Sequence, residues 1–369
     1  MAIGITTMTG MNYGSVLQAY SLQESLKTLG VEAYTIQLRP KSYVLNFFRR
    51  YVFPNPEWGF WTRMWRLKSD VLYMPKSRLI RQFWEQNTSI RFYRSRRQLI
   101  EGEKATRVLI AGSDQIWNPA YIPNFLYYLL FANKNTILFS YAASLAADSL
   151  TETAKRFYHD RLRIFSGISV RETTGKQLLS ECIENDIRVD LDPVFLLTKD
   201  YWDSFASDRF KGEQFVFLYV IKPNMKLCNL ISRICSNNGM KVYYIGDFSA
   251  KESGLTDMND ASVQDFLSLI KYSAATVTNS FHATAFSILM NKPFFSYVPP
   301  LSGSRIIDIL NSFGMQDHII DDDSAEKCMN SFFLYGQQVD YEFVNTRIEQ
   351  LRRESMKYLN SIAGVEKCT

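Results

Sequence analysis

The chain has 369 residues, 46% of them hydrophobic and 14% aromatic, which is more than one ordinary core holds and predicts two packed domains rather than disorder. It has no run of about 18 uncharged apolar residues, so a membrane-spanning helix is excluded from the expectations. The formal charge of +5 is uneven: fifteen Lys/Arg stand against five Asp/Glu between Lys41 and Arg107, and the remainder is acidic.

Met-Ala-Ile-Gly-Ile enters a strand directly and lacks the basic-then-apolar form of a signal peptide, so a cytoplasmic setting is expected. Residues 2–7 read as that strand, Met8–Tyr13 as a polar turn, and Ser15–Leu29 as a helix with apolar residues at helical spacing. Gly30 ends the helix and Glu32–Leu38 returns as a strand, which makes a βαβ unit and implies a parallel sheet. Tyr43–Arg66 then mixes nine aromatics and four arginines with one acid, Glu57. That chemistry suits a bilayer interface or a diphosphate-lipid head group, and equally an aromatic insertion packed on the first domain. Nucleic acid is not expected, because the acidity elsewhere leaves no continuous basic groove.

Further strands are predicted at Val108–Ala111, Thr136–Ala142, Gly167–Val170 and Arg188–Leu191, with helices near 152–164 and 173–184. Asp192–Gly212 reads as a link. A second series follows, with strands at Phe215–Ile221, Lys241–Ile245, Ala275–Thr278 and Phe294–Val298 and helices near 225–237, 262–272, 282–290 and 304–313. Tyr341–Ile362 is a final helix. The expected architecture is α/β: two doubly wound domains facing across a cleft, with ligands at the carboxyl ends of their strands. The boundaries expected are 1–195 for an acceptor-side domain carrying a basic aromatic insertion at about 41–107, 196–335 for a donor-side domain, and 336–369 for a terminal helix packing back on the first.

His282, one of three histidines, falls at a strand-to-helix switch, where a first helical turn favours anions and imidazole can exchange protons. A histidine packed against the sheet gives the same pattern. Asn12, Tyr13, Gly14, Ser15 and Gln18 flank the first helix start, where glycine lets backbone approach a ligand and the side chains offer hydrogen bonds; a helix cap alone also explains them. Asp114, Gln115, Trp117 and Asn118 follow a strand and suggest a carbohydrate shelf, an indole face against sugar C–H groups with polar partners for hydroxyls, against the alternative of an Asx-capped turn. Arg171, at another strand end, carries a fork suited to carboxylate or phosphate, and Lys222 and Arg305 are further candidate anion contacts. The five cysteines form no C-x-x-C pair, Cys228 and Cys235 fit a buried helix face, and no metal spacing occurs, so metal-independent catalysis is expected.

Together, Asn12-Tyr13-Gly14-Ser15 with Gln18, Gly112-Ser-Asp-Gln-Ile-Trp-Asn118, Ser140-Tyr-Ala-Ala-Ser144, Ser169-Val-Arg-Glu172, Asp192-Pro193 and Asn279-Ser-Phe-His-Ala-Thr-Ala-Phe-Ser287 resemble the polysaccharide pyruvyl transferase family, in the family's order. The resemblance implies a GT-B-like pair of Rossmann-type domains. It also implies transfer of an enolpyruvyl-derived group from phosphoenolpyruvate to two hydroxyls of one sugar, giving a cyclic ketal and phosphate in surface polysaccharide synthesis. No cofactor beyond that co-substrate is implied. The family histidine falls on His282 and a donor-binding arginine on Arg171. Many members carry arginine two positions before the histidine, where Ser280 stands here, so donor binding is expected to lean on the backbone N–H groups of Phe281 and His282 and on Arg305. Asp114 is the expected base or hydroxyl acceptor. A lipid-linked oligosaccharide is the expected acceptor, which would bring the enzyme to the inner face of a membrane as a peripheral protein. The competing readings are a glycosyltransferase of the same architecture using a nucleotide-sugar, and a non-catalytic sugar-binding protein.

Overall fold

The computed structural model describes residues 2–9, 12–38, 74–221, 224–246, 254–298 and 303–367. The expectations for Tyr43–Arg66, with Arg49, Arg50, Arg63 and Arg66, and for Lys222 lie outside the described residues.

The first domain opens with β1 (Ala2–Thr6), α1 (Tyr13–Thr28) and β2 (Glu32–Leu38). It continues through α2 (Met74–Asn87), β3 (Ile90–Tyr93), α3 (Arg96–Gly102), β4 (Val108–Ala111) and β5 (Ile137–Ser140). These strands form one sheet in the order β3-β2-β1-β4-β5, and every pairing is parallel. Residues 74–107 are therefore not all insertion. They supply the outer strand and two helices of the first sheet, which Ile-Arg-Phe-Tyr, half charged or exposed, did not signal.

Beyond β5 come α4 (Glu152–Leu162), β6 (Ile168–Val170), α5 (Thr173–Ser180) and β7 (Ile187–Val189). β6 and β7 pair with each other, and they join the main sheet through single bridges, Phe139 to Gly167 and Ala143 to Val170, and through the Ser140 hydroxyl, which accepts from the Ser169 N–H at 2.8 Å.

The stretch expected to be a plain link is instead tightly buried. Asp192 caps a 3₁₀ turn at Pro193–Leu196, followed by α6 (Lys199–Phe205). Phe195 and Trp202 are fully buried there, and the Trp202 indole donates to the Val194 carbonyl at 2.9 Å. Burying such side chains contributes about 1.5–3 kcal/mol each, so this segment fastens the domains rather than merely joining them.

The second domain runs β8 (Phe215–Val220), α7 (Met225–Asn237), β9 (Lys241–Gly246), β10 (Thr256–Asp257), α8 (Val263–Tyr272), β11 (Ala275–Thr278), α9 (Phe281–Leu289), β12 (Phe294–Tyr297), α10 (Ser304–Ser312), β13 (Ile319–Ile320) and α11 (Ala325–Tyr335). Its sheet is parallel throughout, in the order β10-β9-β8-β11-β12-β13. Each sheet reverses its winding beside its first strand, between β1 and β4 and between β8 and β11, so two ligand crevices face one seam.

One apolar cluster crosses that seam, joining Tyr13, Leu17 and Tyr20 of α1 to Phe217, Phe266 and Phe286 of the second domain. Tyr13 stacks on Phe266 with ring centres 4.6 Å apart and donates its hydroxyl to the Ala261 carbonyl at 2.8 Å. The last helix, α12 (Tyr341–Lys367), returns to the first domain: Tyr358 donates to the Ser140 carbonyl at 3.0 Å, and Leu359 and Ile362 join the core under β1 and β4.

Candidate functional site

His282 is the second residue of α9, directly behind β11. The sequence builds this junction by capping: Ser280 accepts from the Ala283 N–H at 3.4 Å, and the Ser280 N–H donates to the Thr278 hydroxyl at 3.0 Å. Helix geometry leaves the N–H groups of Phe281 and His282 without an intrahelical acceptor. The imidazole is 5% exposed, and α1 lies against it at Gly14, where an added Cβ would fall 2.2 Å from His282 Cγ. The two switch points thus meet at one side chain.

Asp192 organises the other side. Its Oδ1 accepts from the Val194 N–H at 3.1 Å, and its Oδ2 accepts from Arg171 Nη1 at 2.7 Å and from the Ser113 hydroxyl at 3.0 Å. His282 Nε2 stands 3.5 Å from the same Oδ2. That is ion-pair range without a formed hydrogen bond, and Nε2 has no hydrogen-bond partner. Burial alone would push the Asp192 carboxyl up, but the nearby His282 and the Arg171 charge with its hydrogen bond outweigh it and hold the group well below the usual carboxylate range.

Arg171 follows β6 with its side chain only 2% exposed, and its guanidinium lies 4.0 Å from the centre of the Phe281 ring. Burial lowers its basicity, yet Asp192, Glu172 and Asp114 together raise it above the ordinary arginine value. Its Nε and Nη2 have no partner. Arg305, at the start of α10, comes from the other domain; burial and the neighbouring Arg171 charge lower its pKa. With its amide oxygen turned to the cation, Gln115 accepts from Arg305 Nη1 at 3.0 Å and Nη2 at 2.9 Å. Glu172, which takes a hydrogen bond from Ser144, is pushed up by burial against the pull of Arg171.

Asp114 sits in a left-handed backbone conformation, φ 71°, that a side chain seldom adopts. Three bonds hold it there: the Ser144 and Ile116 N–H groups donate to its carbonyl at 2.9 and 2.7 Å, and its Oδ1 accepts from the Gln115 N–H at 2.9 Å.

Several of the expected acceptor contacts are corrected. Trp117 presents no shelf: it is fully buried, parallel to Tyr128 at 6.4 Å and edge-on to Phe165. Tyr13 and Gln18 are also fully buried. The first spends its hydroxyl on the second domain, and the Gln18 amide donates to the Thr7 hydroxyl and to the Met8 and Ser15 carbonyls. Asn12 caps α1 through the Gly14 N–H at 3.0 Å, and Asn118 caps the turn at Ala120. His318 is buried beside Phe294, and burial lowers its pKa to about 4. The structure therefore brings together Gly14, Asp114, Gln115, Arg171, Phe281, His282 and Arg305. It adds Ser113, Glu172 and Asp192, which sequence reasoning gave no separate role. The available signal was Asp-Pro after a strand, an N-cap with proline at the first helical position.

A cavity of about 210 Å³ opens beside this cluster, lined on its inner wall by Arg171, Asp192, Phe281 and Arg305. Among the described residues no group of three His, Cys, Asp or Glu side chains could hold a metal ion, and no helix is long and apolar enough to cross a membrane.

Comparison with solved structures finds the same two-domain arrangement. MnaA of S. aureus, in a UDP co-structure, aligns with a TM-score of 0.52 at 11% identity, over 94% of this chain and 91% of that one. UDP-GlcNAc 2-epimerase from Neisseria meningitidis, bound to UDP-GlcNAc, gives 0.53 at 8% identity, over 97% and 100%. Os79 from O. sativa, in complex with UDP, gives 0.52 at 11% identity, over 98% and 99%. At such identities the likeness is one of fold, the GT-B arrangement of two Rossmann-like domains. A comparison with curated proteins finds none that matches. The polysaccharide pyruvyl transferase family model matches residues 12–299, a span that carries the helix start at Gly14, the Asp114 turn, Arg171, Asp192 and His282, and the chain belongs to that family.

Proposed function

We propose that the enzyme transfers pyruvate from phosphoenolpyruvate to two hydroxyls of one sugar as a cyclic ketal, releasing phosphate. One observation carries the reading: Arg171, Asp192 and His282, distant in sequence, meet where the two domains' switch points face each other. The donor bears a carboxylate and a phosphate, which call for a guanidinium fork and helix N–H groups. Arg171, Phe281 N–H and His282 N–H are those groups here.

His282 gives its proton to the methylene carbon of the enol, which becomes a methyl group. The electron-poor central carbon then accepts the first sugar hydroxyl. Its bond to the phosphate oxygen breaks with the electron pair leaving on phosphate, and the second hydroxyl closes the ring. One hydroxyl proton restores His282 and the other leaves with phosphate. Asp192 keeps the imidazole oriented and balances its charge, while the carboxylate oxygen of Asp114 not bonded to Gln115 orients an acceptor hydroxyl. We take the acceptor to be a lipid-linked oligosaccharide, so that the enzyme would work at a membrane surface.

Incubation with phosphoenolpyruvate and lipid-linked oligosaccharides, followed by mass spectrometry, is expected to give a product heavier by one pyruvyl ketal. His282→Ala should lower turnover by roughly 10²–10⁴-fold. A folded His282→Ala protein with normal turnover removes the acid role. Calorimetry that finds UDP-sugar binding and no phosphoenolpyruvate binding turns the assignment to a glycosyltransferase.

A further inference from the structure

Glu172 is a carboxylate only 3% exposed, and no step of the transfer uses it. It is the N-cap residue of α5, yet its side chain makes no cap bond. An N-cap side chain ordinarily accepts from the second or third N–H of its helix. Here the second, that of Thr174, goes to the other domain: Asp308 Oδ2 of α10 accepts it at 3.1 Å and the Thr174 hydroxyl at 3.0 Å. Glu172 is thereby freed to turn back, and its Oε1 accepts from the Ser144 hydroxyl.

Ser144 fastens both ends of the Asp114 turn. Its N–H donates to the Asp114 carbonyl at 2.9 Å, and its own carbonyl accepts from the Trp117 N–H at 3.2 Å. Its neighbour Ala143 bridges Asp114 on one side and Val170 on the other. The backbone here is strained. Among the described residues five non-glycines take positive φ, and three of them are Asp114 at 71° and Ala142 and Ala146 at 48°. Each is disfavoured for a residue with a Cβ, so the conformation persists only where its surroundings over-determine it. Ala142 is tied to β6, its N–H donating to Ser169 Oγ at 3.0 Å. At Ser144, the residue that grips the Asp114 turn, the side-chain tie is Glu172. A hydrogen bond to a charged acceptor is roughly twice as strong as one between neutral groups.

We propose that Glu172 is a positioning residue: through Ser144 it holds Asp114 in its left-handed turn, and so sets where the Asp114 carboxylate meets the acceptor. It rests on the proposed function only for the hydroxyl that Asp114 orients.

The test uses the full-length enzyme with its Glu172→Ala and Glu172→Gln variants, the second keeping an oxygen for the Ser144 hydroxyl. In crystal structures, Asp114 is expected to leave the left-handed region in Glu172→Ala and to keep it in Glu172→Gln. In steady-state assays Glu172→Ala should lower kcat/KM for the acceptor about 10- to 100-fold, the cost of misplacing one orienting group, with donor KM within about threefold of wild type. Glu172→Gln should recover most of that loss. On an Asp114→Ala background Glu172→Ala should cost little more, because the two residues act as one unit. A carboxylate that merely stabilises α5 would instead shift donor and acceptor KM together, and its losses would add to those of Asp114→Ala. Either result, or an unchanged Asp114 turn in Glu172→Ala, overturns the proposal. If Glu172→Ala fails to fold, Ser144→Ala, which removes the hydroxyl and keeps the backbone bonds to the turn, takes its place in every arm. A relaxed turn in the variant with no pyruvyl transfer by wild type leaves the positioning standing and removes the proposed function. Transfer by wild type with an intact turn in the variant does the reverse.

Discussion

Gly14 lacks the Cβ that would fall 2.2 Å from His282 Cγ and 2.3 Å from Nδ1, so the first domain touches the histidine of the second through bare backbone. A methyl group there cannot be accommodated unless α1 or the imidazole moves, and a shift of about 1 Å at a reacting group can cost roughly 100-fold in rate. Gly14→Ala is therefore expected to lower kcat by about two orders of magnitude and to reduce the melting temperature, measured by steady-state assay and calorimetry. Gly364→Ala is the matching control, since nothing lies within 4 Å of a Cβ added there. Unchanged activity in Gly14→Ala would show that His282 does not need this contact. At this scale the sequence was partly legible. His282 and Arg171 were visible because strand ends in a parallel sheet are where ligands bind. Trp117 was misread because spacing tells that an indole follows a strand, not which way it turns, and in the fold it turns into the core.

Helices and strands were readable where apolar spacing was strong. α1, α7, α8 and α9 fall within a few residues of their predicted ranges, and so do β8, β9, β11 and β12. The short elements were not: β3 is four residues with exposed Arg91 and Phe92, and β10 and β13 have two residues each, too few to show any period. The 3₁₀ turn before β13 holds His318 against Phe294, with ring centres 4.5 Å apart and both imidazole nitrogens unpartnered. A pKa near 4 in the folded chain, against an ordinary 6.5, means that the unfolded chain takes up a proton between those values which the folded chain refuses. Stability from this group is thus full above pH 6.5 and falls by about 1.4 kcal/mol per unit as the pH drops toward 4, where the loss levels off. Urea unfolding at stepped pH should show this slope in the wild type and a shallower one in His318→Phe. Identical slopes would remove His318 as the cause.

The whole molecule was legible as two parallel α/β domains, because two strand–helix series separated by a polar stretch admit few other arrangements. What the sequence did not reveal is how tightly they are joined: the stretch Asp192–Phe205 that reads as a link supplies Asp192, Phe195 and Trp202 to the seam. The charge asymmetry belongs to this scale as well. Within the described residues, α2, the turn between β3 and α3, and α3 itself carry exposed Arg78, Arg81, Arg94 and Arg97, and Phe92 and Ile100 are 45% and 47% exposed beside them in sequence. An enzyme acting on a lipid-anchored sugar has to work at a membrane surface, and each arginine near anionic head groups adds about 1 kcal/mol, an attraction that fades with salt. Exposed aromatic and aliphatic side chains add anchoring at the interface. Sedimentation with anionic liposomes should therefore show binding at low salt that is lost at high salt. Replacing Arg78, Arg81, Arg94 and Arg97 by Gln should weaken it, while activity on a water-soluble acceptor stays at the wild-type level. Absence of low-salt binding in an enzyme fully active on the lipid-linked acceptor would make this basic face an ordinary solvated surface, and the approach to the lipid would then fall to the acceptor site alone.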